Sequence, residues 1–168
     1  MDGYTDEYAD YVSGIAFGFP AAPFIRIEQR VNYSGWAPEG FGTVDCLILY
    51  GGDLHVIDFK YGKGVPVKAE KNYQMSLYAL GAYQEYGFLF GIERAHFHIV
   101  QPRIPNTSSW STTMGDLLAW GERVVKPAAE LAWEGKGEFR PADYCAGDKE
   151  NYCKDGFCKA YGRCRATA

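Results

Sequence analysis

The sequence lacks any long apolar run, and this limits the classes of protein it can encode. No segment approaches the roughly 20 uninterrupted apolar residues that a transmembrane helix needs. The first residues are acidic and lack the basic start of a secretory signal. With 47% hydrophobic and 16% aromatic residues in 168, the chain also falls outside the disordered class. We therefore expect one soluble domain in the cytoplasm.

The sequence also lacks an excess of positive charge, since 17 Lys and Arg oppose 21 Asp and Glu, for a net charge of -4. A globally basic surface, a common signature of nucleic-acid binding, is absent. One segment differs, because four lysines fall within residues 60–71 and only one acid, Glu70, lies among them. The lysines are Lys60, Lys63, Lys68 and Lys71. This run indicates either a solvated basic loop or a loop that contacts phosphates.

Cysteine is scarce outside the C-terminal segment. Cys46 lies mid-chain, and we interpret it as a core residue. The other four are Cys145, Cys153, Cys158 and Cys164. Thiols crowded at one end of an intracellular chain more often hold a metal than form disulfides. The spacing has no CxxC pair, so the pattern alone does not select the metal.

Hydrophobic periodicity predicts an α/β protein with a mixed sheet, in the order helix, three strands, helix, strand and helix, followed by the cysteine-rich tail. The predicted helices are 5–17, 68–87 and 112–135, and the predicted strands are 24–31, 43–50, 54–61 and 94–102. A tight turn at "GGD" should pair the second and third strands as a hairpin. We expect Gly87 to end the second helix, Thr112 or Thr113 to cap the third, and Pro127 to kink or restart it.

The third predicted strand ends on two opposite charges, Asp58 and Lys60, which share a face because they lie two residues apart. They form either a salt bridge or a reaction centre. The hairpin should bring Asp45 close to Asp58, and two buried carboxylates are costly unless a cation joins them. Together with the backbone carbonyl of Phe59 they would suit Mg²⁺ or Mn²⁺. Lys60 would then hold a water molecule or stabilise charge on a phosphate.

The helix that follows carries Gln74 and Tyr78, one turn apart on one face. Taken alone they are an amide and a phenol at the boundary of the core, just as a lone Asp-x-Lys is usually a surface pair. The order of the features favours a functional site. It runs from "GxxD" (Gly42 to Asp45) through a hairpin and "DxK" to a lysine loop and a "QxxxY" helix.

This series resembles the PD-(D/E)XK nuclease superfamily, in its RecB-like branch. The phrases "EGFGTVD", "LHVIDFKYGKGVPV" and "YQMSLYALGA" closely resemble a phage-encoded family of RecB-like domains without assigned function. The similarity runs from about Ile27 to Leu80, with a second match in the tail. It implies one domain over 1–168, with a restriction-endonuclease-like core at 1–138 and a metal-binding tail at 139–168.

The resemblance implies that Asp45 and Asp58 bind the metal, that Lys60 is catalytic and that Gln74 and Tyr78 border the nucleic-acid path. The implied activity is Mg²⁺- or Mn²⁺-dependent hydrolysis of DNA phosphodiester bonds by an exonuclease, on single- or double-stranded DNA. The implied setting is phage DNA processing or recombination in the cytoplasm of a bacterial host, with phage recombination proteins as partners.

One departure from the family concerns histidine. RecB-type nucleases usually carry an upstream "GTxxH"-like motif whose histidine joins the metal site, and here no histidine precedes His55. Glu28 is a better substitute than Glu7 or Asp10. This departure favours an alternative function, a catalytically weak or inactive nucleic-acid-binding or assembly module on the same fold. We interpret all three histidines as structural residues: His55, His96 and His98.

The resemblance also gives the tail cysteines a role. Some RecB-like nucleases hold a [4Fe-4S] cluster with one N-terminal cysteine and three from the tail, and "DYC" and "GFCKAYGRC" resemble those three. Because the upstream cysteine is absent, Cys153 is expected to become the fourth ligand, with zinc on the same thiolates as the alternative.

Overall fold

Five strands form one mixed sheet in the order β1-β2-β3-β4-β5. The structure is a computed structural model that describes residues 2–62 and 64–136. The strands are β1 (Phe24–Asn32), β2 (Phe41–Tyr50), β3 (Asp53–Phe59), β4 (Arg94–Gln101) and β5 (Asn106–Thr113). The helices are α1 (Asp2–Phe17), α2 (Tyr73–Phe90), α3 (Met114–Trp120) and α4 (Lys126–Trp133), with a π-helical turn at Gly121–Val125. The predicted α/β class with a mixed sheet is confirmed.

The first three strands form an antiparallel meander, and the predicted antiparallel pairing of its second and third strands is confirmed. The β2–β3 hairpin closes through Gly51 and Gly52, whose φ angles of 55° and 86° suit a two-residue turn. The chain then crosses over through α2, so β4 lies parallel to β3, and β5 returns antiparallel to β4. The predicted third strand is too long, because β3 ends at Phe59 and Lys60 follows it.

Each face of the sheet has its own core. On one face a large cluster packs beneath α2, with Leu47, Val56 and Phe97 fully buried. On the other face a smaller cluster that includes Cys46 and Ile57 packs against α1, so the interpretation of Cys46 as a core residue fits its complete burial. The side chains of β2 and β3 are therefore covered on both faces.

Helix α2 begins and ends at other residues than predicted. Asn72 caps it by accepting a hydrogen bond from the backbone amide of Met75 at 3.2 Å, so the helix starts after the lysine loop. It continues past Gly87, and Gly91, in the left-handed conformation with φ 55°, ends it. Gly87 is buried, and an added Cβ would lie 2.9 Å from the Tyr83 ring. Gly87 thus permits close packing within the helix and does not stop it.

Strand β5 is not among the elements that the sequence predicts. Its half-buried positions are mainly polar or small, and they alternate with exposed residues. Ser108 accepts a hydrogen bond from the amide of Ala69 at 2.9 Å, and Asn106 donates to Gln101 at 2.7 Å. Trp110 is the one large apolar residue of the strand, so hydrophobic alternation gave no signal.

The predicted third helix is divided into three parts. Thr113 caps α3 by accepting from the amide of Asp116 at 3.0 Å, which confirms the predicted cap. The π-helical turn then displaces the hydrogen-bond ladder directly before Pro127, and α4 starts at Lys126, so the predicted restart is confirmed.

Residues up to Glu130 form one compact unit and Leu131–Ala168 a second one, of which the structure describes the end of α4 and the turn at Gly135. Within the described residues, no helix combines the length and the apolar character needed to cross a bilayer. The four predicted ligands of the tail cluster lie outside the described residues: Cys145, Cys153, Cys158 and Cys164. Lys63 of the lysine loop also lies outside them.

Candidate functional site

The candidate site lies where the β2–β3 ladder stops. The last paired residues there are Cys46 and Ile57, so the register places Asp45 opposite Asp58 on the next rung. The carboxylate of Asp45 replaces the missing backbone acceptor, since its Oδ2 accepts the amide hydrogen of Phe59 at 2.7 Å. The hairpin thus brings the two predicted carboxylates together.

Lys60 connects this pair to α2. Its Nζ lies 2.9 Å from Oδ2 of Asp58 and donates to Oδ1 at 3.2 Å, and it also donates to Oε1 of Gln74 at 3.1 Å. Gln74 donates through Nε2 to the Tyr78 hydroxyl at 2.9 Å and reaches Oδ1 of Asp58 at 3.5 Å. Asp58, Lys60, Gln74 and Tyr78 are therefore one connected polar network, which we call the Asp58 network.

Burial makes this network electrostatically unusual. Asp58 is only 4% exposed, and its Oδ2, although at ion-pair distance from Lys60, makes no contact of hydrogen-bond geometry within the described residues. Burial raises the pKa of Asp45; the Phe59 amide and Lys60 lower it, while the Asp58 and Glu28 carboxylates raise it further. An additional cation beside the two carboxylates would relieve both features.

Glu28 stands beside the same carboxylates. It occupies the β1 position opposite Asp45 between two paired rungs, and its φ of 51° is rare for a residue with a side chain. On the neighbouring strand β2, the regular alternation of side chains between the two faces of the sheet is interrupted beside Glu28. Val44 and Leu47, three residues apart, both pack in the cluster beneath α2. Strained backbone of this kind concentrates at functional sites. The sequence named Glu28 as an outside candidate but gave no sign of its conformation.

Gly42 has a role that sequence reasoning missed. An added Cβ at this position would overlap the Tyr78 ring, so the absence of a side chain on β2 makes room for the phenol of the Asp58 network. Gly42 is the first residue of the "GxxD" motif, so the sequence did contain it as part of a pattern. The reason for a glycine there depends on which helix packs against β2, and the motif does not show that.

The lysine loop is exposed but anchored. The amide of Val67 donates to Oε1 of Gln101 at 2.6 Å, and the Ala69 amide bonds to β5. Lys68 and Lys71 are both exposed on this loop. They lie in the connection between Lys60 and the start of α2, beside the Asp58 network in the chain.

Helix α1 contributes Tyr8, and the acids considered earlier stay at the surface. Glu7 and Asp10 are exposed. The Tyr8 ring packs on Phe59 with 5.0 Å between centroids, and its buried hydroxyl has no hydrogen-bond partner among the described residues. Burial, followed by the charges of Cys46 and Asp45, raises the pKa of Tyr8. The sequence gave Tyr8 only as an apolar position of α1.

The histidines lie elsewhere on the face that α1 covers. His98 contacts the Tyr11 hydroxyl at 2.9 Å and His55 at 3.0 Å, while His96 contacts Asp53 at 2.8 Å. Burial lowers the pKa of His55 to about 4 and that of His98 to about 3. These partners fit the interpretation of the histidines as structural residues.

A hard divalent cation fits Asp45 and Asp58 as a partial ligand set. Among the described residues, no group of three or more His, Cys, Asp or Glu side chains is arranged to hold a metal. Mg²⁺ commonly takes one or two carboxylates and completes its shell with water and substrate phosphates. The buried Oδ2 of Asp58, which is ion-paired with Lys60 but makes no contact of hydrogen-bond geometry among the described residues, is the observation that supports this fit.

The chain resembles solved structures only remotely. An alkaline exonuclease (LHK-Exo) from Laribacter hongkongensis is 17% identical with a TM-score of 0.45, over 77% of this chain and 66% of that one. The chain thus spans slightly less than two thirds of the exonuclease. The crystal structure of SSO0001 is 14% identical with a TM-score of 0.39, over 97% and 69% of the two chains. The family whose model matches residues 1–168 is described as "Protein of unknown function (DUF2800)", and the chain belongs to that family.

Proposed function

We propose that this protein is a divalent-metal-dependent nuclease that hydrolyses DNA phosphodiester bonds. The observation that carries the proposal is the Asp58 network beside Asp45: two carboxylates on adjacent strands, with a lysine held by one of them and by a glutamine. An ion pair needed only for stability would not require a second, half-buried carboxylate directly opposite Asp58 on the neighbouring strand, because like charges in low dielectric repel.

Each residue has a role that follows from its position. Asp45 and Asp58 would hold Mg²⁺ or Mn²⁺, together with the Phe59 carbonyl, and the bound cation would supply Lewis-acid activation of the phosphate and of water. Lys60, held 2.9 Å from Asp58, brings a positive charge to the place where negative charge develops on the phosphate oxygens. Gln74 fixes the lysine from the opposite side at 3.1 Å.

The strand carrying the scissile phosphate would pass along the first turns of α2. Gln74 and Tyr78 line that turn on one face, and exposed Lys68 and Lys71 precede it in the loop. The two lysines add local positive charge to a chain whose net charge is -4. The proposed setting remains phage DNA processing or recombination in the host cytoplasm, with the tail holding a [4Fe-4S] cluster or zinc.

A second function, binding of nucleic acid without efficient cleavage, is favoured by one observation. The described residues contain two carboxylates at the site and no third His, Cys, Asp or Glu ligand in a metal-binding arrangement. Such a site would hold a cation weakly until a phosphate oxygen joins it.

A cleavage assay separates the two functions. Labelled single- and double-stranded DNA is incubated with Mg²⁺, Mn²⁺ or EDTA and resolved on a denaturing gel. We expect metal-dependent cleavage that Asp58→Asn and Lys60→Ala each abolish, and cleavage by the parent without a metal would contradict the mechanism. Asp53→Asn is the matched control, since Asp53 lies on the same strand and is ion-paired with Arg94 at 2.7 Å. This variant should cleave as well as the parent.

Gln74→Ala tests the role of the helix. If Gln74 holds Lys60 and borders the DNA, its removal should cost about 1–2 kcal/mol in substrate handling and leave the fold unchanged. A lowered melting temperature with unchanged DNA affinity would instead show that the amide serves the fold. Both quantities are measured on the same preparation.

A further inference from the structure

A cavity of about 420 Å³ shares no lining residue with the Asp58 network. It opens between the start of α2, strand β5 and helix α3. Its volume falls in the range of small-molecule sites, from about 300 to 1,000 Å³. The residues that determine its chemistry are Lys71, Tyr73, Trp110, Thr112, Asp116 and Trp120.

Aromatic rings form the walls of this cavity. Tyr73 is 71% exposed and stands parallel to Trp120, with 5.8 Å between centroids and 7° between the ring planes. Trp110 is half-buried and packs against Phe97 at 5.5 Å. An exposed tyrosine on a helix contributes little to the core, whereas stacked aromatic faces accept flat ring systems such as nucleobases.

The charges around the cavity suit a nucleotide. Lys71 lines it, is exposed and makes no ion pair with any residue that the structure describes. The acid at the same cavity, Asp116, is already engaged, because its Oδ2 accepts from the Thr113 hydroxyl at 2.6 Å in the cap of α3. A phosphate at the rim would therefore pair with Lys71 and stay away from Asp116, which keeps its negative charge because the Thr113 hydroxyl is neutral.

The cavity and the Asp58 network are built on the same helical turn. Tyr73 is the first residue of α2, and Gln74, the next one, bonds to Lys60. Successive helical residues project about 100° apart, so Gln74 faces the network while Tyr73 faces the cavity on a different side of the same turn. A strand that passes Gln74 and bends around the start of α2 would bring a neighbouring base to Tyr73.

We propose that this cavity binds a nucleobase of an unpaired DNA strand next to the phosphate handled at the Asp58 network. The inference rests on the proposed nuclease function and narrows its substrate to single-stranded DNA or an unpaired end. Bases inside a duplex are stacked and paired, so only an unpaired base is free to enter.

The test measures binding and needs no cleavage. The full-length protein in EDTA is titrated into a labelled thymidine oligonucleotide of about 12 nucleotides, and anisotropy gives the affinity. We expect Tyr73→Ala to weaken binding about 5- to 150-fold, the range of one lost base stack. Tyr73→Phe, which keeps the ring, should restore it. Phe88→Ala, a fully exposed ring near the other end of α2, is the matched control and should bind as the parent does.

A second probe identifies the base itself. A series of oligonucleotides is made, each with one abasic site at a different position. For the parent, the abasic site at the position that occupies the cavity should weaken binding. For Tyr73→Ala, the same abasic site should cause no additional loss of affinity. Unchanged binding by Tyr73→Ala, an equal loss on blunt duplex DNA, or no binding of the oligonucleotide by the parent would each overturn the proposal. Tyr73-dependent binding without cleavage in Mg²⁺ would support the base site and reject the nuclease. Cleavage with no Tyr73 dependence would do the reverse.

Discussion

Mild acid should destabilise the protein through the histidines under α1. His55 and His98 have pKa values of about 4 and about 3 in the folded state, against 6.5 for an unperturbed histidine, because burial penalises the charged ring. Below pH 6.5 the unfolded chain therefore binds protons that the folded chain does not bind. Stability from these two rings is fully present above the unfolded pKa and is lost as pH falls toward the folded values.

The size of the effect follows from the linkage relation. Between about pH 7.5 and 5.5, a histidine that stays neutral when folded loses about 1.4 kcal/mol of stability. Both rings are half-buried. Solvent screening therefore lowers the total, and we expect about 1 kcal/mol for the pair. A chain of this size should then melt about 2–4 °C lower at the acidic end.

The surroundings of the rings determine the control. Tyr11 from α1 contacts His98. Asp53 is hydrogen-bonded to both His96 and Arg94 at the other end of the row of three stacked histidine rings. The pKa of Asp53 is lowered to about 2, mainly by the Arg94 hydrogen bond, so its own titration lies outside the measured range. Thermal melts of the parent and of His98→Gln and His96→Gln are recorded across that pH range.

The pH dependence should flatten by about half in His98→Gln and persist in His96→Gln. A parent whose melting temperature does not change with pH would refute the assignment of two half-buried rings that stay neutral. Equal flattening by both variants would show that the pH dependence does not come from the burial of the His98 ring, which contacts Tyr11 and His55.

Three further predictions concern the site and its supports. Gly42→Ala should cost about 1–3 kcal/mol in urea unfolding, because the new methyl overlaps the Tyr78 ring, and a similar cost in a Tyr78→Ala background would disprove that contact. Asn72→Ala should cost about 1 kcal/mol by removing the cap of α2, with Asn72→Asp retaining most of it in the same assay. Removing Lys68 and Lys71 together should lower the salt dependence of single-strand binding by about 0.7 for each contact, and an unchanged slope would place the DNA path elsewhere.

Local patterns predicted the elements that have hydrophobic alternation or turn glycines. The β2–β3 hairpin and the order of helices and strands up to β4 follow from such patterns, and the close approach of Asp45 to Asp58 follows from the hairpin. The contact of Gln74 with Lys60 was not itself predicted, although the helix that carries Gln74 was. The predicted features depend on residues that are close in sequence or on the pairing register of a single hairpin.

The features that escaped prediction depend on contacts between distant segments. β5 is polar where it contacts the rest of the protein, so hydrogen bonds to Ala69 and Gln101 hold it in place. An alternation of apolar and polar residues, which would have predicted the strand, is absent from it. The end of α2 is a local exception, because it depends on which of two glycines takes the left-handed conformation, and that residue is Gly91 and not Gly87. The left-handed Glu28 has no local signature, since only the pairing around it shows the change of faces.

The anchoring of the lysine loop determines the shortest fragment of this chain that could keep the Asp58 network in place. The first stretch of recognisable motifs ends near Leu80, yet the path from Lys60 to α2 is anchored at Val67 by Gln101 of β4 and at Ala69 by Ser108 of β5. A shortened product ending after α2 would retain that stretch of motifs and lose both hydrogen bonds. Any excised version that is to keep Gln74 beside Lys60 must therefore continue through the edge strand to Thr113.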